Sequence, residues 1–249
     1  LATKDYYKVT LAHAVSDEEG HGTGGKAGDQ TGNEVKFQDW YNRTKKWHTV
    51  LRASQAIRRK IKTNAIAGVR NVHLGYDMNQ RYTAYDKLKN KGYDYNKLTE
   101  DTECDCSQFA TTCSSYAGVP VPRDTTTANM VARYLATKQY KALTGDKYTE
   151  TSENLKAGDI IVGEGHTAIV ANVYWRMNKN LRRGATGRKA DIKALQQRLN
   201  DKYGCKLVVD GDFGVKTENS VIGFQLEHGL EPDGIVGRKT AEALDFLWG

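Results

Sequence analysis

Asp105-Cys106-Ser107-Gln108-Phe109 heads a run, Cys106 to Ala117, that reads as one helix. Phe109, Ala110, Cys113 and Ala117 follow Cys106 at i+3, i+4, i+7 and i+11, so one face is apolar. Asp105 is placed to cap the N-terminus, and Gln108, three residues later, to complete a capping box. Cys106 then falls in the first turn. Free amide N–H groups and the positive end of the helix dipole favour a thiolate there. The same amides can hold an oxyanion, which makes Asp105 and Ser107 the cap and oxyanion positions. A lone cysteine more often serves as a small buried hydrophobe. Cys113, deeper on the same face, suits that role. Cys104 precedes the helix with no comparable activation, and Cys205 reads as packing.

Sixty residues on, Gly165-His166 opens the β-branched run Thr167-Ala168-Ile169-Val170. Ahead of it stands Leu155-Lys156-Ala157-Gly158-Asp159-Ile160-Ile161-Val162, a turn followed by a strand signal. A thiol at a helix N-terminus and an imidazole at a strand edge are two halves of a nucleophile–base pair. His13, His21, His48, His73 and His228 have no such frame and read as structural.

Outward from this pair, residues 104–175 predict helices over Cys106–Ala117 and around Thr127–Ala136, then strands over Asp159–Val162 and His166–Trp175. Residues 1–100 read as helices: Asp5–Val15, Trp47–Ala67 and Asn79–Asn90. A long Gly- and Asp-rich loop at 17–32 interrupts them. Helix first and sheet afterwards predicts an α+β class. The loop has no Gly-Lys-Ser/Thr and no apolar strand leading in, so a phosphate-cradling role is not expected. Arg58-Arg59-Lys60 reads as a solvated helix face. The Gly-containing stretch 176–189 reads as a linker, or as a last short strand plus linker.

The net charge of +7 is uneven. From Gly184 onward there are 9 Lys/Arg and 10 Asp/Glu, leaving 28 against 20 in the first 183 residues. A basic first part suits a polyanionic partner, nucleic acid or the anionic bacterial wall. No aromatic–basic platform supports nucleic acid, so none is expected. No run approaches the roughly 18 apolar residues of a membrane helix, so no membrane insertion is expected. Leu1–Tyr7 lacks a signal-peptide core, so either export is not by a standard signal or a signal lies outside this chain. Of the four cysteines, Cys106 and Cys113 lie two helical turns apart, beyond disulfide reach. Free thiols are expected. Cys104-x-Cys106 lacks zinc-ligand spacing, so no metal or other cofactor is expected.

The last sixty residues contain an internal echo. Val209-Asp210-Gly211-Asp212-Phe213-Gly214-Val215-Lys216-Thr217 matches Pro232-Asp233-Gly234-Ile235-Val236-Gly237-Arg238-Lys239-Thr240. Each copy is an Asp-Gly turn, an apolar residue, a second Gly, and a Thr at a helix start. Apolar-periodic stretches precede each turn, with Ile192, Leu195 and Leu199 before the first and Val221 and Phe224 before the second. A small all-helical domain of three helices is expected, with domains at 1–183 and 184–249.

Asp105-Cys106-Ser107-x-Phe109 followed by Leu155-Lys156-x-Gly158-Asp159 and Gly165-His166 resembles the NlpC/P60 family of papain-like cell-wall hydrolases and the related CHAP amidohydrolases. The resemblance covers roughly residues 100–175. It implies a Cys-bearing helix packed on an antiparallel sheet, with Cys106 as nucleophile and His166 as base. The family's third member is a polar residue on the next strand. Asn172 lies some 20 Å along the same strand, too far to serve. A turn near 173–176 would return Asn178 or Asn180, and Asn180 is favoured. The C-terminal echo closely resembles the peptidoglycan-binding domain of wall hydrolases. Together the resemblances imply a phage endolysin with bacterial peptidoglycan as partner, made in the host cytoplasm and acting at the wall, with a monomer favoured. It would cut an amide bond, either as a stem-peptide endopeptidase or as an N-acetylmuramoyl-L-alanine amidase. A wall-binding protein with a degenerate cysteine module is the alternative.

Overall fold

A computed structural model describes residues 7–177 and 179–248. The chain divides into two compact units, Val9–Val173 and a second built from Tyr174 onward. Each is taken by itself.

The first unit contains β1 (Tyr7–Ala14) from Val9 on, β2 (Val35–Asp39), β3 (Trp47–Ala53), α1 (Gln55–Val69), β4 (Leu74–Tyr76), α2 (Thr83–Leu88), β5 (Thr102–Cys104), α3 (Cys106–Tyr116), α4 (Met130–Ala136), β6 (Tyr140–Leu143), α5 (Asp146–Thr149), β7 (Ile160–Gly163) and β8 (His166–Met177) as far as Val173, the end of β8 belonging to the second unit. The main sheet runs β2-β1-β8-β7-β3-β6, and its pairs β1–β2, β7–β8, β3–β7 and β3–β6 are antiparallel. The α+β class therefore holds, but three strands precede the first helix. The expected Asp5–Val15 helix is a strand, β1, and the expected Trp47–Ala67 helix is β3 over its first seven residues before it becomes α1 from Gln55, both strands for one reason. Leu11, Ala12, His13 and Ala14 are all buried, as are Trp47, Thr49, Val50, Leu51 and Ala53. A strand covered on both faces shows a near-continuous apolar run, which periodicity does not distinguish from a buried helix. Of the expected Asp5–Val15 helix, residues 5 and 6 lie outside the described residues. The Asn79–Asn90 helix contracts to α2 and a 3₁₀ turn, Lys89–Lys91.

α3 is the core helix, and every residue from Cys106 to Ser115 is buried. α1 lies against it at Gly68, where an added Cβ would come within 2.6 Å of the Phe109 ring and 2.9 Å of Tyr95. A glycine there lets the two helices approach closely. Phe109 stacks on Tyr95 at 5.5 Å, and both are fully buried. β7 and β8 meet across a two-residue turn, with Gly165 at φ +69 and Gly163 paired to His166. That left-handed residue starts β8 at His166.

The motif Asp159 anchors the turn before β7. Its buried carboxylate accepts Arg52 Nε at 2.8 Å, Arg52 Nη2 at 2.5 Å and the Lys156 amide at 2.8 Å. The Gly-rich loop is tied down by buried carboxylates. Gly28 N–H donates to Glu103 Oε1, and the amides of Gln30 and Tyr76 donate to Glu34.

The second unit holds α6 (Lys189–Tyr203), α7 (Val215–Glu227), α8 (Arg238–Ala243) and β9 (Leu247–Trp248), which pairs with the end of β8. Its core gathers Ile192, Leu195, Leu199, Phe213, Val221 and Phe224. The sequence echo is a structural echo. Gln196 Nε2 donates to Asp210, the Asp212 carbonyl and Thr217, while its Oε1 accepts the Gly211 amide. Gln225 does the same with Asp233, Ile235, Thr240 and Gly234. Each Asp-Gly turn is thus clamped by a glutamine from the preceding helix. The expected linker is not free. Leu181 is buried here and bridges Val236.

Candidate active site

Asp105 caps α3 as expected, its Oδ1 accepting the Gln108 amide at 2.7 Å and the Ser107 hydroxyl at 2.7 Å. Its Oδ2 accepts Arg81 Nη1 at 3.0 Å. The second half of the capping box is not made. The Gln108 amide group turns instead to the carbonyls of Arg123 and Thr125, fixing the chain after α3. Cys106 sits in the first turn, only 6% exposed, with the backbone amides of Thr167 and Ser107 near enough to its sulfur to favour the thiolate. The Thr167 contact sets the thiol beside the start of β8. The structure thus brings the two sequence motifs together.

His166 Nε2 lies 2.8 Å from His13 Nδ1. His13 comes from β1, the neighbour of β8, and is completely buried. Trp47 and Tyr41 complete an aromatic surround, with Trp47 6.0 Å from the His166 ring and Tyr41 6.3 Å from the His13 ring. Asn180 belongs to the second unit, where its side chain is 3.5 Å from the place a Cβ on Gly237 would take. Asn178 lies outside the described residues. Within the first unit the ring partner of His166 is His13, one of the histidines that read as structural in the sequence. Its signal was weak because it lies 153 residues from His166, in a segment whose apolar run resembled a helix.

Electrostatics also depart from expectation. Burial, then the neighbouring Asp105 charge, push the Cys106 thiol up to about 12, outweighing the amides that favour the thiolate. Burial lowers His166 to about 3, helped by His13 and Arg43, and burial with Lys36 and Arg43 lowers His13 to about 4. The resting site is a neutral thiol beside two neutral imidazoles. Asp105, one of the residues that positions the nucleophile, is itself a reason the thiol stays protonated. Such a thiol reacts only when its proton is taken during attack.

These shifts set an acid limit on stability. The folded histidines titrate below the unfolded value of 6.5, so their contribution is complete above pH about 6.5 and is lost as pH falls toward 4. His13 alone accounts for roughly 3 kcal/mol across that window. Glu103, raised to about 8 by burial and by Glu34, works in the opposite direction. Urea midpoints of wild type and His13→Leu between pH about 7.5 and 4.5 isolate the imidazole, and the loss on acidification is expected to be smaller in the variant.

Among the described residues, no group of three or more His, Cys, Asp or Glu is placed to hold a metal, and no helix is long and apolar enough to cross a membrane. All four cysteines are free.

Residues 11–173, well over half the chain, match the family described as "Endolysin-like domain". The chain belongs to the endolysin-like domain family. Residues 188–244 match a second family, "Putative peptidoglycan binding domain". The first match ends where the structure divides, at 173/174, and residues 174–187 lie between the two matches. An N-acetylmuramoyl-L-alanine amidase of Mycobacterium tuberculosis, CwlM, is 36% identical over 92 residues, covering 36% of this chain and 23% of the amidase. The chain thus spans about a quarter of that relative's length. A peptidoglycan-binding protein from Clostridioides difficile, solved in complex with glutamine hydroxamate, is 32% identical over 35% of this chain and 49% of its own. Its TM-score is 0.25, which says nothing about a shared fold. In the endolysin-like domain, Cys106, His166 and His13 converge at the junction of α3, β8 and β1.

Proposed function

We propose that the protein is a peptidoglycan hydrolase that cleaves an amide bond with Cys106 as nucleophile, His166 as base and His13 as the residue that orients the base. The observation that carries this reading is the join between the first turn of α3 and the first residues of β8, with His166 Nε2 held by His13. His13 leaves Nδ1 of His166 as the nitrogen available to the thiol. For Nδ1 to accept, Nε2 must carry the hydrogen and donate it to His13 Nδ1, so His13 selects the reactive tautomer.

The chemistry follows acyl transfer. Sulfur adds to the amide carbonyl as its proton passes to His166, and the resulting oxyanion is held by first-turn amides, Ser107 among them. His166 returns the proton to the departing amine and leaves a thioester. Water, deprotonated by His166, then releases the acid and restores the thiol. The second unit holds the enzyme at an insoluble polymer and raises its local concentration there. Cutting within the stem peptide is favoured over cutting the muramoyl–L-alanine bond because of the resemblance to NlpC/P60 enzymes. The limited match to an amidase supports the other bond.

Digestion of purified peptidoglycan, with masses and free amines of the fragments determined, tests this. New amine termini that form with wild type and fail to form with Cys106→Ala are the expected result. Reducing sugar ends with intact peptides would overturn amide cleavage.

A further inference from the structure

Arg43 stands beside the cysteine–histidine site without a role in the chemistry. Its guanidinium lies 4.8 Å from the Trp47 ring, whose other neighbours include His166. Nη2 donates to the Glu164 carbonyl at 3.3 Å, while Nη1 is buried with no hydrogen-bond partner. The adjacent cations differ. Lys45 pairs with Glu164 and Lys46 with Glu150, whereas Arg43 has no acidic partner among the described residues. Its charge is felt at Cys106, His166 and His13. Arg43 also lines a cavity of about 290 Å³ with Asn42, Lys46, Trp47, Thr149 and Glu150.

A guanidinium that lines a cavity and has no acidic partner among the described residues is a receptor for a planar oxyanion, and carboxylates match its fork. Resting on the amide-hydrolase reading above, we infer that Arg43 binds a carboxylate of the peptide substrate beside the scissile amide, so that the enzyme selects stem peptides with a free acid over those in which it is amidated. Arg43 is then a specificity residue. The aromatic floor of Trp47 carries the neighbouring aliphatic part of the peptide. Asn42 stands at the rim with two donors and an acceptor for its amides.

The test uses full-length protein and matched soluble muropeptides, one set with free stem-peptide carboxylates and one with carboxamides. The ratio of kcat/KM for acid over amide is expected to be about tenfold or more in wild type and near one in Arg43→Gln, with Arg43→Lys between. A merely electrostatic influence on the histidines would lower both rates and leave the ratio unchanged, which would overturn the inference. The same pairs are titrated calorimetrically against Cys106→Ala, with and without Arg43→Gln. Tighter binding of the acid that disappears with Arg43 supports the inference, and equal binding of both peptides overturns it. Turnover by Cys106→Ala in those samples would signal failure of the cysteine reading, and the binding ratio would still report on Arg43. If Arg43→Gln does not fold, Arg43→Lys serves, and an undiminished ratio there counts against the inference.

Discussion

Cys106→Ala is expected to lower wall-lysing activity by at least about 10⁴-fold while leaving binding to purified walls unchanged. Both halves of that result follow from the structure. On the proposed mechanism the sulfur is the nucleophile, and no other cysteine of the endolysin-like domain is placed to replace it. Cys104 and Cys113 are fully buried, and burial holds both thiols far above the ordinary range. The wall-binding unit has its own core and its own glutamine-clamped turns, so a one-residue change in α3 does not disturb it. His166→Ala is expected to cost nearly as much, and the double variant no more than the worse single, because the two groups act as one device. His13→Leu keeps thiol and base but frees the imidazole to rotate and change tautomer, with an expected loss of about 10²-fold in kcat. Turbidity loss of a wall suspension, with binding followed by co-sedimentation, reads all four. Lysis by Cys106→Ala at the wild-type rate would remove the cysteine from the mechanism.

The largest loss of stability is expected at Asp159. Its carboxylate is fully buried and bonded to Arg52 and the Lys156 amide, while Arg52 is 11% exposed and also donates to the Asn154 carbonyl. Asp159→Ala strands the guanidinium in the protein interior, and the cost of such a break is about 3–5 kcal/mol. That is a large share of the roughly 5–15 kcal/mol by which a domain is stable. Urea denaturation at neutral pH measures it. Adding Arg52→Met to Asp159→Leu should recover most of the loss, because a buried ion pair replaced by apolar groups of similar size is often close to neutral. No recovery in the double variant would mean that the Lys156 turn, rather than the ion pair, carries the effect.

The sequence motifs were legible where side chains answer to local rules. Asp105 caps α3 because an acceptor one residue before a helix satisfies a free amide, and Gly165 starts β8 because the turn requires a positive φ. The glutamine clamps sit in the repeated turns that the sequence itself displays. What local rules do not show is the state of the thiol. A helix N-terminus favours thiolate, yet burial and the cap's own charge reverse that preference, and burial depends on the whole fold. The capping box failed similarly, since Gln108 found better acceptors on a distant loop. The partner of the His166 ring, His13, was hidden twice over. The search for it ran forward along the chain from His166, and the strand that supplies it resembled a helix.

β1 lies inside the sheet, between β2 and β8, and it carries His13. The reacting groups come from three distant stretches, and the earliest stands at the domain's front margin. A recombinant chain trimmed to begin at residue 16 would keep Asp105-Cys106-Ser107 and Gly165-His166 and would pass any motif search as complete. It would nevertheless leave β2 and β8 with raw edges, inviting β1-like segments of other molecules to fill the slot. The His166 ring would also lose the neighbour that sets its proton. Cloning boundaries for this domain are therefore dictated by the sheet, and an inactive, aggregating product from a motif-centred clone would report the missing strand rather than a dead nucleophile.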